Sequence, residues 1–234
     1  GWLLQAYNDE KWTQPSASGE MKNYQLCPYK SGVVNRYRQS PAEIKKIAES
    51  RYVIDFGNEM IGNVSVQLLG LTSQKWSVGY GEELNPDGSV KSEMRTGNIY
   101  RETWNLTPGY QEMSTINMKA FRYMEITGCT EKLSINNITG WQVRQKTENQ
   151  ELQFSSNNSI LNDEYNLAKK TIENTSQDMY VDTQSRESQN YAGDTFINMM
   201  TATSMNLNYS LAAHSVEYAL NHPTWPSEYM LYTV

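Results

Sequence analysis

Through the middle of the chain, apolar residues alternate with polar ones. Val64, Val66 and Leu68 are separated by Ser65 and Gln67, and Trp76, Val78 and Tyr80 repeat the alternation. A period of two puts one face of a strand in a core and the other in solvent. Asn85-Pro86-Asp87-Gly88 then reads as a tight turn, because Pro presets φ and Gly accepts φ > 0. Tyr100, Glu102, Trp104 and Leu106 resume the alternation up to Pro108-Gly109. Residues 121–127 and 135–143 add two more strand candidates, around Gly128 and Gly140. Short strands at this spacing predict an antiparallel β-sandwich over residues 51–148.

Near residue 150 the period changes. Leu161, Tyr165, Ala168 and Ile172 recur at helical spacing behind Asn157 or Asn158, either of which can cap a helix. Further helices are predicted over 195–207 and 210–220, the last ended by Asn221-His222-Pro223. Residues 149–234 thus read as the opening of a helical domain, because two or three helices do not enclose a core of normal size. The apolar, helix-initiating run 225–234 suggests that this domain continues in a longer parent polypeptide or is completed by another chain. Residues 1–50 are less regular. A polar stretch at 15–19 and a possible helical turn at 42–47 suggest the tail of a preceding β module.

Composition narrows the function. A net charge of −6, with basic residues scattered singly among acids, leaves no basic groove for nucleic acid. Cys27 and Cys129 lie far apart, and neither they nor His214 and His222 show metal-ligand spacing, so neither a metal site nor a cofactor is implied. The cysteines read as small buried side chains and the histidines as helix-face or capping residues. No apolar run approaches the roughly 20 residues of a membrane span. Cytoplasmic, periplasmic and secreted locations are all compatible with the sequence. Asn-x-Ser/Thr triplets such as Asn63 and Asn174 are coincidental in so Asn-rich a chain.

The densest chemistry lies between the first two helices, in Val181-Asp182-Thr183-Gln184-Ser185-Arg186-Glu187-Ser188-Gln189-Asn190-Tyr191-Ala192-Gly193-Asp194. Carboxylates and amides match sugar hydroxyls, an aromatic ring offers an apolar face, and a carboxyl group is the usual acid for a glycosidic bond. The plainer reading is a solvated connector with Asp194 offsetting the dipole of the next helix. Arg186 equally suits a structural ion pair, and Tyr191 core packing.

The stretch Asp-x-x-x-Arg-Glu-x-x-x-Tyr-x-Gly-Asp from Asp182 to Asp194 resembles the catalytic-loop signature of bacterial α-L-rhamnosidases, glycoside hydrolase family 78. Asp55-Phe56-Gly57-Asn58-Glu59-Met60-Ile61-Gly62 resembles that family's Asp-Phe-Gly-x-Asn-Met-x-Gly. The blocks at 82–89 and 120–128 follow in the family's order, with a weaker echo at 8–12. Departures are Gln184 where members commonly have Pro, Tyr191 where many have Trp, and the pair Asn58-Glu59.

The resemblance implies a β-sandwich followed by the first helices of an (α/α)6 barrel, and removal of terminal α-L-rhamnose from glycosides or polysaccharides. It implies Glu187 as general acid, with Asp182, Arg186, Tyr191 and Asp194 binding substrate. Such enzymes are inverting, and the family's general base lies far downstream, beyond residue 234 here. Neither Glu217 nor Glu228 is expected in that role, and this chain by itself is expected to bind sugar poorly and not to turn over. Two other readings stay open: a non-catalytic carbohydrate-binding or structural sandwich, and a different (α/α)6-barrel glycosidase acting on glucosides.

Overall fold

The computed structural model describes residues 6–14, 16, 28, 30–146, 152–183, 185–205 and 209–222. Cys27, Gln184, Glu228 and the 225–234 run lie outside them. The strands are β1 (Val34–Gln39), β2 (Glu43–Ala48), β3 (Arg51–Gly70), β4 (Gln74–Gly81), β5 (Arg101–Leu106), β6 (Gly109–Ser114), β7 (Lys119–Thr127) and β8 (Ile138–Gln145). The helices α1 (Ser159–Thr175), α2 (Ala192–Ser204) and α3 (Tyr209–Asn221) follow.

All strand pairings are antiparallel, and β3 belongs to both layers of a sandwich. Its first half lies between β2 and β7, and β4 and β5 continue that layer. Its second half pairs with β8 and β6, and β1 flanks β8. The alternating residues Val64, Val66, Leu68, Trp76, Val78 and Tyr80 are all buried in the core between the layers, as their period required. Phe121 meets Phe56 and Tyr80 edge to face, with centroids 5.7 and 5.1 Å apart.

The change of layer is made at a bulge. Asp55 pairs with Tyr123 and Met60 with Phe121, so the residues between them on β3 exceed those on β7. Gly57 lies in the bulge at φ +81°, where a side chain would be strained. Asp55 fixes it by accepting the Gly57 N–H at 2.6 Å and two bonds from Arg122 at 2.9 and 2.8 Å. The block carrying the family resemblance is therefore a bend that turns Asn58 and Glu59 towards α1.

One expectation for the N-terminal region needs correction. Residues 43–48 form β2, not a helical turn, because so short a segment has little helical stability of its own while β3 presents an unpaired edge. β1 and β2 belong to the same sheet as β3 and β8.

Asn158 caps α1, its side chain accepting the Ile160 N–H at 3.0 Å. Ile172 is buried with Tyr180, Ala202, Met205, Leu211 and Ala212 in a second, helical core. Leu161, expected on the same face, is 46% exposed, because the described parts of α2 and α3 cover the C-terminal half of α1. The helices are tied to the sandwich by bonds from Gln142 to Asn174 at 3.0 Å, from Gln177 to the Val143 carbonyl at 2.8 Å, and from Lys170 to Asn58 at 2.5 Å.

Candidate active site

The acidic loop between α1 and α2 is pinned at both ends. Tyr180 is buried, its N–H donating to Ser215 Oγ at 2.9 Å. The amide of buried Asn190 donates to the Tyr180 carbonyl at 2.8 Å and to Thr195 Oγ1 at 2.7 Å, so the chain leaves the loop where it entered. Within it, the Asp182 N–H donates to the Gln189 carbonyl at 3.0 Å and the Ser188 N–H to the Thr183 carbonyl at 2.8 Å. Ser188 takes φ 52°, the only positive value among described non-glycine residues. A left-handed serine is uncommon, and here the cross-loop bonds hold it.

This frame carries the sequence-predicted residues on one loop and the first turn of α2. Burial raises the phenolic pKa of Tyr191, the charges of Glu187 and Asp182 add to the rise, Arg186 opposes it, and Asp194 adds a smaller rise. Asp194 lies in the first turn of α2, where a dipole-offsetting role would favour its charged form. Its pKa is instead raised, by burial first and by Asp182 second, against the lowering effect of its own backbone N–H. The capping role is thus outweighed by burial, with Asp182 adding to it.

Arg186 donates to Glu187 Oε2 at 2.8 Å, in a pair whose side chains are 50% and 40% exposed. Asp182 is held by the Gln189 N–H at 2.9 Å instead of by Arg186. Glu217 stands apart on α3, paired with Lys30 at 2.8 Å.

Sequence reasoning missed what the sandwich contributes. Residues 82–100, between β4 and β5, reach over the acidic loop, and both Tyr100 Oη and Asn98 Nδ2 donate to the Ser185 carbonyl, at 2.8 and 3.0 Å. The match at 82–89 pointed to this segment, but its neighbour in space lies about a hundred residues on. Two clefts result. One of about 420 Å³ is lined by Glu82, Arg95, Thr96, Thr183, Ser185 and Arg186 among others. The second, of about 450 Å³, has Glu59, Glu82, Lys170, Asn174 and Asp182 in its wall. Burial and the nearby Glu82 raise the pKa of Glu59 at its rim.

The remaining candidates are structural in their surroundings. Burial pushes the Cys129 thiol up to about 12, and His222 stacks on Tyr218 with centroids 4.3 Å apart. No group of three His, Cys, Asp or Glu is placed to hold a metal ion, and no helix is long and apolar enough to cross a membrane, among the described residues. Trp76 and Trp104 are buried, and Trp141 lies under the Arg36 guanidinium at 4.7 Å. The sheet tryptophans therefore do not form an open sugar-stacking platform.

Residues 45–144 match the family model described as the bacterial alpha-L-rhamnosidase concanavalin-like domain. An alpha-L-rhamnosidase of Streptomyces avermitilis is 26% identical over 145 residues, which are 60% of this chain and 14% of that protein. The crystal structure of a Streptomyces avermitilis alpha-L-rhamnosidase complexed with L-rhamnose superposes at a TM-score of 0.72 and 21% identity, covering 84% of this chain and 19% of that one. The alpha-L-rhamnosidase of Dictyoglumus thermophilum gives 0.68 at 19% identity, covering 79% of this chain and 21% of that one. At these identities the superpositions show a shared fold. The chain spans about a seventh of the length of the curated relative, 14%.

Proposed function

We propose, on the match of residues 45–144 to the bacterial α-L-rhamnosidase concanavalin-like domain, that the chain carries the general-acid half of a rhamnosidase active site. Glu187 protonates the departing glycosidic oxygen. Asp182 and Asp194 accept hydrogen bonds from hydroxyls of the sugar. Arg186 exchanges Glu187 for a hydroxyl when substrate enters, and Glu187, released from the ion pair, takes a proton from solvent water and delivers it to the leaving oxygen. Tyr191 lays its ring against the methyl group that distinguishes rhamnose from common hexoses. The observation that carries this reading is the pinned acidic loop, in which Arg186 and Glu187 pair at 2.8 Å while Tyr100 and Asn98 of the sandwich grip the adjoining Ser185 carbonyl.

Inversion needs a second carboxylate roughly 6.5 to 9.5 Å from the acid, with room for water between. The family resemblance implies a base far downstream of Glu187, outside these 234 residues, and Glu217, paired with Lys30, is not assigned to that role. On this reading residues 149–234 open an (α/α)6 barrel completed by the rest of the parent polypeptide, and this chain alone does not turn over. The test is ¹H NMR of an α-L-rhamnoside digest by the full-length protein. Inversion gives β-L-rhamnose first, whereas initial release of the α anomer contradicts it. Release of glucose but not rhamnose would support the other barrel-glycosidase reading.

A further inference from the structure

The turn at residues 94–98 touches the acidic loop from the sandwich side and has no part in the chemistry above. It is a hairpin with a short tip: Gly97 N–H donates to the Met94 carbonyl and Met94 N–H to the Asn98 carbonyl, both at 2.9 Å, with Gly97 at φ +82°. That is a three-residue loop with glycine in the left-handed position, which holds Arg95 and Thr96 out at the tip. Asn98 and Tyr100, immediately after it, clamp the Ser185 carbonyl at 3.0 and 2.8 Å. Hairpin tip and acidic loop are therefore held as one body, with the 420 Å³ cleft between them.

The geometry points to this cleft as the leaving-group side of the site, built for a polyhydroxylated sugar leaving group. The inference rests on the glycosidase reading above. A general acid stands between the sugar it releases and the group that departs. Arg186, bonded to Glu187 at 2.8 Å, lines this cleft, while Asp182 lines the other. The lining suits hydroxyl groups: Thr96, Thr183 and Ser185 carry hydroxyls, and no aromatic residue is among the described ones that line it. Lys91 and Glu83 pair with each other at 2.9 Å, and the lining also offers Arg95 as a long donor and Glu82 as an acceptor. The volume lies in the range of small-ligand sites, about 300–1,000 Å³. A flat aromatic leaving group would find no stacking partner among the described lining residues, whereas a sugar would meet both donors and acceptors.

The experiment compares kcat/KM for an α-L-rhamnosyl disaccharide and for an aryl α-L-rhamnoside, in the full-length protein and in its Arg95→Ala/Thr96→Val variant. The expected result is a fall of about tenfold in the disaccharide-to-aryl ratio, the scale of one or two lost polar contacts. The ratio is insensitive to partial unfolding, since misfolded enzyme is lost to both substrates alike. An unchanged ratio, whether the variant is fully active or equally weakened on both, overturns the assignment. If the unaltered protein cleaves neither rhamnoside, the glycosidase reading itself fails and this inference falls with it, which is a different result from an unchanged ratio.

Discussion

Tyr100 donates its phenolic proton to the carbonyl of Ser185, 2.8 Å away in space and 85 residues further along the chain. The bond joins the sandwich to the loop carrying Arg186 and Glu187. The sandwich is thus a support for that loop as well as a neighbouring domain. Asn98 donates to the same carbonyl at 3.0 Å, so removing one donor leaves the oxygen with a partner and removing both does not. Tyr100→Phe alone should lower kcat of the full-length protein several-fold, corresponding to about 1 kcal/mol, with KM and melting temperature nearly unchanged. Adding Asn98→Ala should cost more than the two single effects combined. Steady-state kinetics on the three variants checks this, and additive losses would argue against a shared grip.

Asp55 and Arg122 set the acid side of stability. Arg122 is the main reason the Asp55 carboxyl lies below its ordinary pKa, with the Gly57 N–H and the Arg122 charge helping and burial opposing. A carboxyl lowered by folding stabilises the folded state above its unfolded value, about 4. That contribution is lost as pH falls through the folded value. Arg122→Met should therefore lower the melting temperature at pH 7, and the gap from the unaltered protein should narrow between about pH 5 and pH 2. Melting curves across that range test it, and a constant gap would assign the effect of Arg122 to packing.

Asp182 acts on Asp194 through charge. Burial is the larger cause of the raised Asp194 pKa and Asp182 the second, so Asp182→Asn should bring the value part of the way down. Carboxyl ¹³C titration of the full-length protein reads this directly. An unmoved Asp194 would mean that the two side chains do not share a site.

The sheet was legible in the sequence where burial is strictly one-sided. Trp76, Val78 and Tyr80 announced β4, and Asn85-Pro86-Asp87-Gly88 announced its turn, closed by the Gly88 N–H to the Asn85 carbonyl at 2.9 Å with Gly88 at φ +80°. β2 was not legible, because Glu43, Lys45 and Lys46 on an exposed strand give no period and the pairing with β3 decides the outcome. The loop 182–194 stood out in the sequence as a dense local cluster of charged and amide side chains. Arg186 pairing with Glu187 in preference to Asp182, and the reach of Asn98 and Tyr100 to Ser185, were not legible. Both depend on the path of the backbone in space, which no local pattern of residues carries.

The most direct test of the account is hydrolysis of an aryl α-L-rhamnoside by the full-length protein beside its Glu187→Gln variant, with circular dichroism to confirm that both are folded. Glutamine keeps the shape of the side chain and has no proton to deliver, so kcat/KM should fall by at least about 10² to 10⁴, the usual worth of a general acid. A folded Glu187→Gln variant that retains the activity of the unaltered enzyme would contradict the assignment of Glu187 as the acid, and with it the central claim about this loop.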